Sequence, residues 1–352
     1  MYTVEDYINT FNIKDALINE KIQTEKLKAF NGHLYKYYST ENAHTLSNIK
    51  DNIIYFSKPE TFNDPFDCCW GYDEEKFISE LLIAAIIDSP LKDFHIEIDI
   101  LCKIILNEYV NKDEISLLEN TFNKQFTSNV SFKDLIVCDF KRKAEKILTY
   151  VTTDHGDNMK EFFEACSNVT DYQSKLNKAI NIAYGISCFS ERYDNALMWS
   201  HYANRHTGIC VEYDFSLFKP NEKPLLQLFP VIYTNKRECL PTNVTYDENW
   251  KPYLSNSPFT LYQIIKNLIS KSDVWNYEQE WRLIGFFKEL TEQKWHLPII
   301  SKIYLGVNFD CEYNLKQNMK EKIVKLAIEK SIPVFQVYLS TATYEMKIKR
   351  IF

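Results

Sequence analysis

The sequence predicts an α+β protein: a split, mixed or antiparallel β core interrupted by a large all-helical insertion. Three observations carry that expectation. Strand-like segments occupy residues 33–72 and 184–352, only helical periodicity runs through residues 73–183, and the middle stretch is chemically distinct. Residues 73–180 hold 20 acidic and 13 basic side chains, which accounts for the whole net charge of -7. With 45% hydrophobic and 25% charged residues, the 352-residue chain has the composition of a folded globular protein.

Taken in order, residues 1–32 read as an N-terminal helical arm, with helices over Val4–Thr10 and Asp15–Phe30. His33–Ser39, Glu41–Asp51 and Asn52–Ser57 read as strand, helix and strand, leading into the Lys58–Tyr72 loop. In the insertion, Glu74–Asp88, His95–Val110, Asp113–Phe126, Ser131–Val151, Asn158–Asn168 and Asn177–Gly185 all space their apolar residues as helices do. Strands return at Ile186–Ser190, Gly208–Asp214, Leu228–Thr234, Glu280–Phe287, Lys302–Val307, Pro333–Leu339 and Glu345–Phe352. Helices over Ser257–Lys271 and Cys311–Ser331 interrupt them, the second stopped by Pro333.

Several function classes lose support. No apolar run reaches the roughly 18–20 residues of a membrane span, and the mixed, acidic N-terminus reads as neither signal nor transit peptide. The nine cysteines show no C-x-x-C spacing, so no metal site is expected, and reduced, buried thiols suit a cytoplasmic setting. Long-range attraction for a polyanion is weak at this net charge, which leaves nucleic acid to a local basic patch. Neither G-x-G-x-x-G nor G-x-x-x-x-G-K-[ST] occurs.

The densest chemistry lies in Ile186–Asp214, where Ser190, Glu191, Arg192, Asp194, His201 and His206 sit between two apolar strands. Asp194 is positioned to cap a short helix over Asn195–Ala203, with Leu197 and Met198 facing inward. This has the build of a pocket rim; for each histidine alone, a structural hydrogen bond is the alternative. Asn63-Asp64-Pro65-Phe66-Asp67 favours a capped turn, with Asp64 or Asp67 as a pocket wall in the functional reading. In Trp275–Ile284, a continuous strand would put Glu278, Glu280 and Arg282 on one face, which is costly unless they pair or border a cleft. A surface ion-pair ladder is the bland reading of the same residues. Lys36, inside an aromatic strand, either snorkels at an edge or reaches an anionic ligand.

Leu34–Tyr37, Phe62–Asp67, Cys188–Glu191, Leu197–Ala203, His206-x-Gly208 and Trp275–Arg282 together resemble an uncharacterised bacterial family, domain-of-unknown-function family twenty-nine seventy-one. The order of parts also resembles the ADP-ribosyltransferase superfamily, including its nucleic-acid-modifying toxins. Leu34–Ser39 stands where that superfamily has its first strand, and Glu278-Gln279-Glu280 fits its E-x-E element. That resemblance implies NAD as substrate, Glu280 and Glu278 as catalytic residues, and Lys36, Tyr37, Phe189, Ser190, Arg192 and His201 as its binding residues. Glu280 would stabilise the ribosyl cation and Glu278 would orient the acceptor, with Tyr37 and Phe189 stacking the nicotinamide. Lys36 departs from the superfamily's usual His or Arg.

The expectation is an NAD-consuming transferase of toxin or antiviral-defence type, acting in the cytoplasm on a nucleic-acid or protein acceptor and open to an antitoxin or regulatory partner. The alternative is a non-catalytic ligand sensor or interaction protein with the same pocket. A hydrolase using His201 or His206 with Asp194 is a third reading, without an evident activated nucleophile.

Overall fold

The computed structural model describes residues 16–71, 95–105, 109–126, 174, 177–239, 244–246, 252–254, 261–287, 293–309 and 317–352. The chain divides into two compact units, one formed by Met1–Cys69, Asn177–Arg237 and Phe259–Phe352, the other by Trp70–Leu176 and Glu238–Pro258. The expected helices over Val4–Thr10, Glu74–Asp88, Ser131–Val151 and Asn158–Asn168 lie outside the described residues.

The first unit is built on an eight-stranded sheet. Its strands are β1 His33–Tyr38, β2 Tyr184–Ser190, β3 Ile209–Asp214, β4 Leu228–Pro230, β5 Glu280–Phe286, β6 Ile300–Leu305, β7 Val334–Leu339 and β8 Met346–Arg350. They lie in the order β8-β7-β6-β3-β1-β2-β5-β4. Neighbours run antiparallel except β6 and β7, which are parallel. The fold class is therefore α+β with a mixed sheet. Helix α1 spans Ala16–Ala29, α2 Thr45–Lys50, α3 Ala196–Tyr202, α4 Leu261–Ile269 and α5 Gln317–Lys330; α5 makes the crossover that a parallel pair needs.

Alternation along the strands separates two apolar layers. Leu34, Phe189, Val211, Tyr213, Trp281, Leu283, Ile303 and Leu305 pack with Ile49 of α2 and Ile323, Leu326 and Ala327 of α5. On the opposite face Tyr37, Cys210, Tyr304 and Val337 pack with Met198, Trp199 and Ala203 at and after α3. The segment before β1 belongs to this core as well: Phe30 lies edge-on to Trp281, ring centroids 4.7 Å apart, and Ile22 is buried. Lys26 of α1 is also buried, its Nζ donating to the Leu225 carbonyl at 3.0 Å.

The sheet has a seam at its centre. β1 makes six registered pairs with β3, and β2 makes seven with β5, yet β1 and β2 share only Tyr35 opposite Ser190. Beyond that rung Lys36 substitutes for the ladder, its Nζ donating to the Cys188 carbonyl at 2.9 Å. The cation also lies over the Phe189 and Tyr38 rings, at 5.3 and 5.9 Å. Lys36 is thus the joint between two ladders.

Several expectations needed adjustment. Leu228–Thr234 is two short strands, because the chain leaves the β5 edge after Val231, whose N–H still donates to the Glu280 carbonyl, and Ile232–Thr234 pairs instead with Ser270–Ser272. The helix expected over Ser257–Lys271 ends at Ile269. Lys294–His296 pairs with Ile53–Tyr55 in a ribbon that the strand signals did not give. The second unit contains the helices His95–Ile105 and Lys112–Phe126, linked by a 2.9 Å Lys103–Glu114 ion pair. It also holds an antiparallel pair, Val244–Tyr246 with Pro252–Leu254, so it draws on a second stretch of chain and is not purely helical. Among the described residues no helix is long and apolar enough to cross a membrane.

Gly208 enters β3 where the backbone of Tyr38 passes closest. A Cβ there would drive into the Tyr38 carbonyl oxygen and the Ala203 backbone, neither of which can move without opening the sheet. Gly208→Ala is expected to lower unfolding free energy by about 2–4 kcal/mol, measured by denaturant titration. A change within about 0.5 kcal/mol would contradict this packing.

Candidate functional site

A cleft of about 360 Å³ opens at the seam of the sheet. Lys36, Cys188, Ser190, His201, Lys271 and Glu280 line it together, with Tyr35, Trp275, Glu278 and the Phe62–Asp64 turn completing the wall. Four segments widely separated in the chain therefore converge. Its volume falls at the small end of ligand sites.

The approach to Glu280 is not the continuous strand expected. Asp273–Glu278 forms a 3₁₀ turn, Gln279 takes a left-handed conformation at φ 44°, and β5 begins only at Glu280. A β-branched or bulky residue would resist that φ. The kink still brings Glu278 and Glu280 together, because both close on Lys271.

Lys271 Nζ lies 2.6 Å from Glu278 Oε2, 3.0 Å from Glu280 Oε2 and 3.6 Å from Asp67 Oδ2. Arg282, 0% exposed, spans the far side. Its Nε donates to Glu280 Oε1 at 3.0 Å and its Nη2 to Glu280 Oε2 at 3.2 Å. Nη1 and Nη2 also donate to the two oxygens of Asp67 at 2.8 and 2.6 Å, and Nη1 to the Leu268 carbonyl at 2.6 Å. Every guanidinium N–H has a partner, which is what a buried Arg requires. Three carboxylates face two cations here, so the cluster itself is short of one positive charge when all are ionised.

The two glutamates are pushed in opposite directions. Burial drives the Glu278 carboxyl upward, Lys271 opposes this, and the Glu280 charge adds to the rise. Burial also works against Glu280, but Arg282 and Lys271 outweigh it and hold that carboxyl down at about 2. Glu278 is positioned from three sides: Tyr202 donates to Oε1 at 2.6 Å, Lys271 to Oε2, and Ser190 Oγ to its carbonyl at 2.7 Å.

Helix α3 supplies Tyr202 and His201. Its cap is Asn195, not Asp194 as expected: Asn195 Oδ1 accepts from the N–H groups of Leu197 and Met198, while its Nδ2 donates to the Tyr277 carbonyl at 2.6 Å. Met198 is buried as expected, whereas Leu197 is exposed. The helix ends in three consecutive left-handed residues, Asn204, Arg205 and His206, a conformation costing roughly 1–2 kcal/mol per residue. The Arg205, His206 and Gly208 N–H groups hold that turn through the Ser200, Trp199 and Ala203 carbonyls.

The anticipated binding residues divide into two groups. Lys36, Tyr37, Phe189, Ser190 and His201 line the cleft. Two of them are committed rings: Tyr37 stands edge-on to Trp199, and Phe189 edge-on to Tyr213 and Phe215. The half-buried Trp275, with His201 and Tyr277 around it at 6.5 and 6.0 Å, is the aromatic surface at the mouth. Arg192 is not a lining residue; its exposed guanidinium grips Asp194 at 2.7 and 3.0 Å. His206 bonds Ser200 at 3.0 Å within its turn. Asp64 lines the cleft, while Asp67 lies behind it in the ion cluster. Lys271 escaped the sequence reading, since a lysine after an amphipathic helix carries no spacing signal, and Trp275 was read as part of its motif without a binding role. Among the described residues no group of three or more His, Cys, Asp or Glu is placed to hold a metal ion.

Residues 198–283 match the family described as "Protein of unknown function (DUF2971)". The DUF2971 match contains His201, Lys271, Glu278, Glu280 and Arg282, and stops short of Lys36 and Ser190. No curated protein and no solved structure matches the chain.

Arg282→Met removes a partner shared by two buried carboxylates and is expected to cost about 3–5 kcal/mol in denaturant unfolding. A loss below about 1 kcal/mol would show that the cluster does not hold this part of the fold. Because folding lowers the Glu280 carboxyl from its ordinary 4.5 to about 2, its contribution to stability is complete above about 4.5 and drains away as pH falls towards 2. Denaturation profiles from pH 7 to 2 should therefore show the wild-type advantage over Glu280→Gln shrinking across that window; a constant gap would contradict the assignment.

Proposed function

We propose that this chain is an NAD-consuming transferase of the ADP-ribosyltransferase type, with Glu280 as the catalytic carboxylate. The observation that carries the reading is the Glu278–Glu280 pair. Two carboxylates share one lysine at a cleft wall, and their surroundings split their protonation behaviour, which is how sites assign one carboxyl to charge and another to proton transfer.

In this reading the bond between C1′ of the ribose and the nicotinamide nitrogen breaks, its electron pair leaving with nicotinamide. The positive charge left at C1′ faces the Glu280 carboxylate, which Arg282 and Lys271 hold in its ionised form at neutral pH. The acceptor's nucleophilic atom then bonds to C1′ and gives its proton to Glu278, whose upward shift suits a group that takes up a proton. Trp275 offers its ring to the nicotinamide in place of Tyr37 and Phe189. Lys36 keeps two N–H groups beyond the one spent on Cys188, enough to meet a phosphate or ribose oxygen. A cytoplasmic effector role against nucleic acid or protein belongs to the same proposal, supported by the thiols of Cys68, Cys188 and Cys210, which are unbridged.

A second reading has its own support. Both Glu280 oxygens already accept from Arg282 or Lys271, an arrangement equally suited to a rigid binding site without turnover.

Purified protein incubated with NAD is expected to release nicotinamide, and Glu280→Gln to slow that release by about 100- to 1000-fold. Glu278→Gln should spare hydrolysis by water more than transfer to an acceptor. NAD binding without turnover would support the sensor reading, and no NAD binding or turnover would sink the transferase reading.

A further inference from the structure

We propose that the β7–β8 hairpin is a docking platform for single-stranded nucleic acid, separate from the cleft. The chain as a whole is acidic, yet residues 317–352 carry seven Lys or Arg and three Glu, a local excess of +4. Part of that excess is organised. In the β7–β8 ladder Tyr338 stands opposite Lys347 and Gln336 opposite Lys349, so these four side chains share one face. Met346 and Ile348 point the other way, into the apolar layer with Val337 and Tyr304. The face is thus fixed by the core behind it.

Tyr338, Lys347 and Lys349 are all exposed, and Tyr344 is fully exposed at the hairpin tip. Neither Lys347 nor Lys349 has a hydrogen-bond or ion-pair partner among the described residues. The nearby Glu345 is engaged by Thr343 at 2.9 Å. Among the described residues β8 is also the edge of the sheet, pairing with β7 alone.

These features fit one class of partner best. Two lysines at alternate positions on a strand stand about 6.7 Å apart, comparable with successive phosphates of an extended single strand. An exposed tyrosine beside them offers a ring on which any base can stack. A duplex would need a broader positive field than this acidic chain provides. A bilayer would need an apolar face, and the platform presents two cations and a phenol, the Gln336 amide being turned inward onto the Leu305 and Gly306 carbonyls. Lysines on an edge strand also deter pairing between sheets, and that role alone predicts no nucleic-acid binding.

The test is fluorescence anisotropy with a labelled 15-nucleotide single-stranded RNA or DNA homopolymer, using the full chain. Two phosphate contacts predict about a sevenfold loss of affinity between 50 and 200 mM salt. Lys347→Glu with Lys349→Glu should abolish binding, and Tyr338→Ala should weaken it about tenfold, with thermal melts unchanged. Lys294→Glu, an exposed lysine on another strand, should leave affinity intact. The proposal is overturned by an absence of binding, by an equal loss in Lys294→Glu, by binding that survives the double reversal, or by capture on phosphatidylserine vesicles in place of the oligonucleotide.

Discussion

A guanidinium with no exposure to solvent is the constraint around which the site is organised. Arg282 cannot shed its charge, so the chain has to bring acceptors to it from three directions: Asp67 from the loop after the second strand-like segment, Glu280 from its own strand, and the Leu268 carbonyl from the end of α4. Lys271 becomes necessary in turn, because two carboxylates beside one guanidinium leave negative charge buried, and Glu278 adds a third. Once this set is assembled, the cleft wall follows. Such a cluster gives little net stability compared with apolar packing, but losing one member leaves the others uncompensated. Its value lies in fixing where each oxygen points.

The sheet divides its labour along the same line. On one side of the seam β8, β7, β6, β3 and β1 form a ladder packed by α2 and α5; on the other β2, β5 and β4 carry Ser190, Glu280 and Arg282. Helix α3 ties the two together from above, with Trp199 against Tyr37 of β1, and Asn195 and Tyr202 bonded to Tyr277 and Glu278. The cleft therefore lies where backbone pairing fails and side chains take over.

How far the sequence foretold this depends on the range of the interaction. Short apolar, β-rich runs located the strands of the large sheet, because a strand buried on both faces reads as a nearly unbroken apolar stretch. Residues that meet across the cleft were legible as polar groups in awkward places: Lys36 in an aromatic strand, Glu278 and Glu280 before an apolar run. What periodicity does not encode is the backbone reversal at Gln279, so the alternation drawn through Glu278 was wrong although its outcome, convergence, was right. Asp67 looked like turn chemistry since its partner lies more than 200 residues away. Lys271 was hidden for the same reason, as its surroundings are assembled only by the fold. Asn195 took the cap from Asp194 because Arg192 already occupies that carboxylate.

The single rung between β1 and β2 bears on mechanics. A sheet resists bending because several hydrogen bonds must lengthen together, yet at this seam the strands themselves share one residue pair and one ammonium–carbonyl bond, and α3 supplies the rest of the connection. Backbone pairing is thinnest there, on the line that also borders the cleft. A ligand in the cleft would therefore lie against the part of the sheet with the fewest backbone hydrogen bonds, held there mainly by side chains.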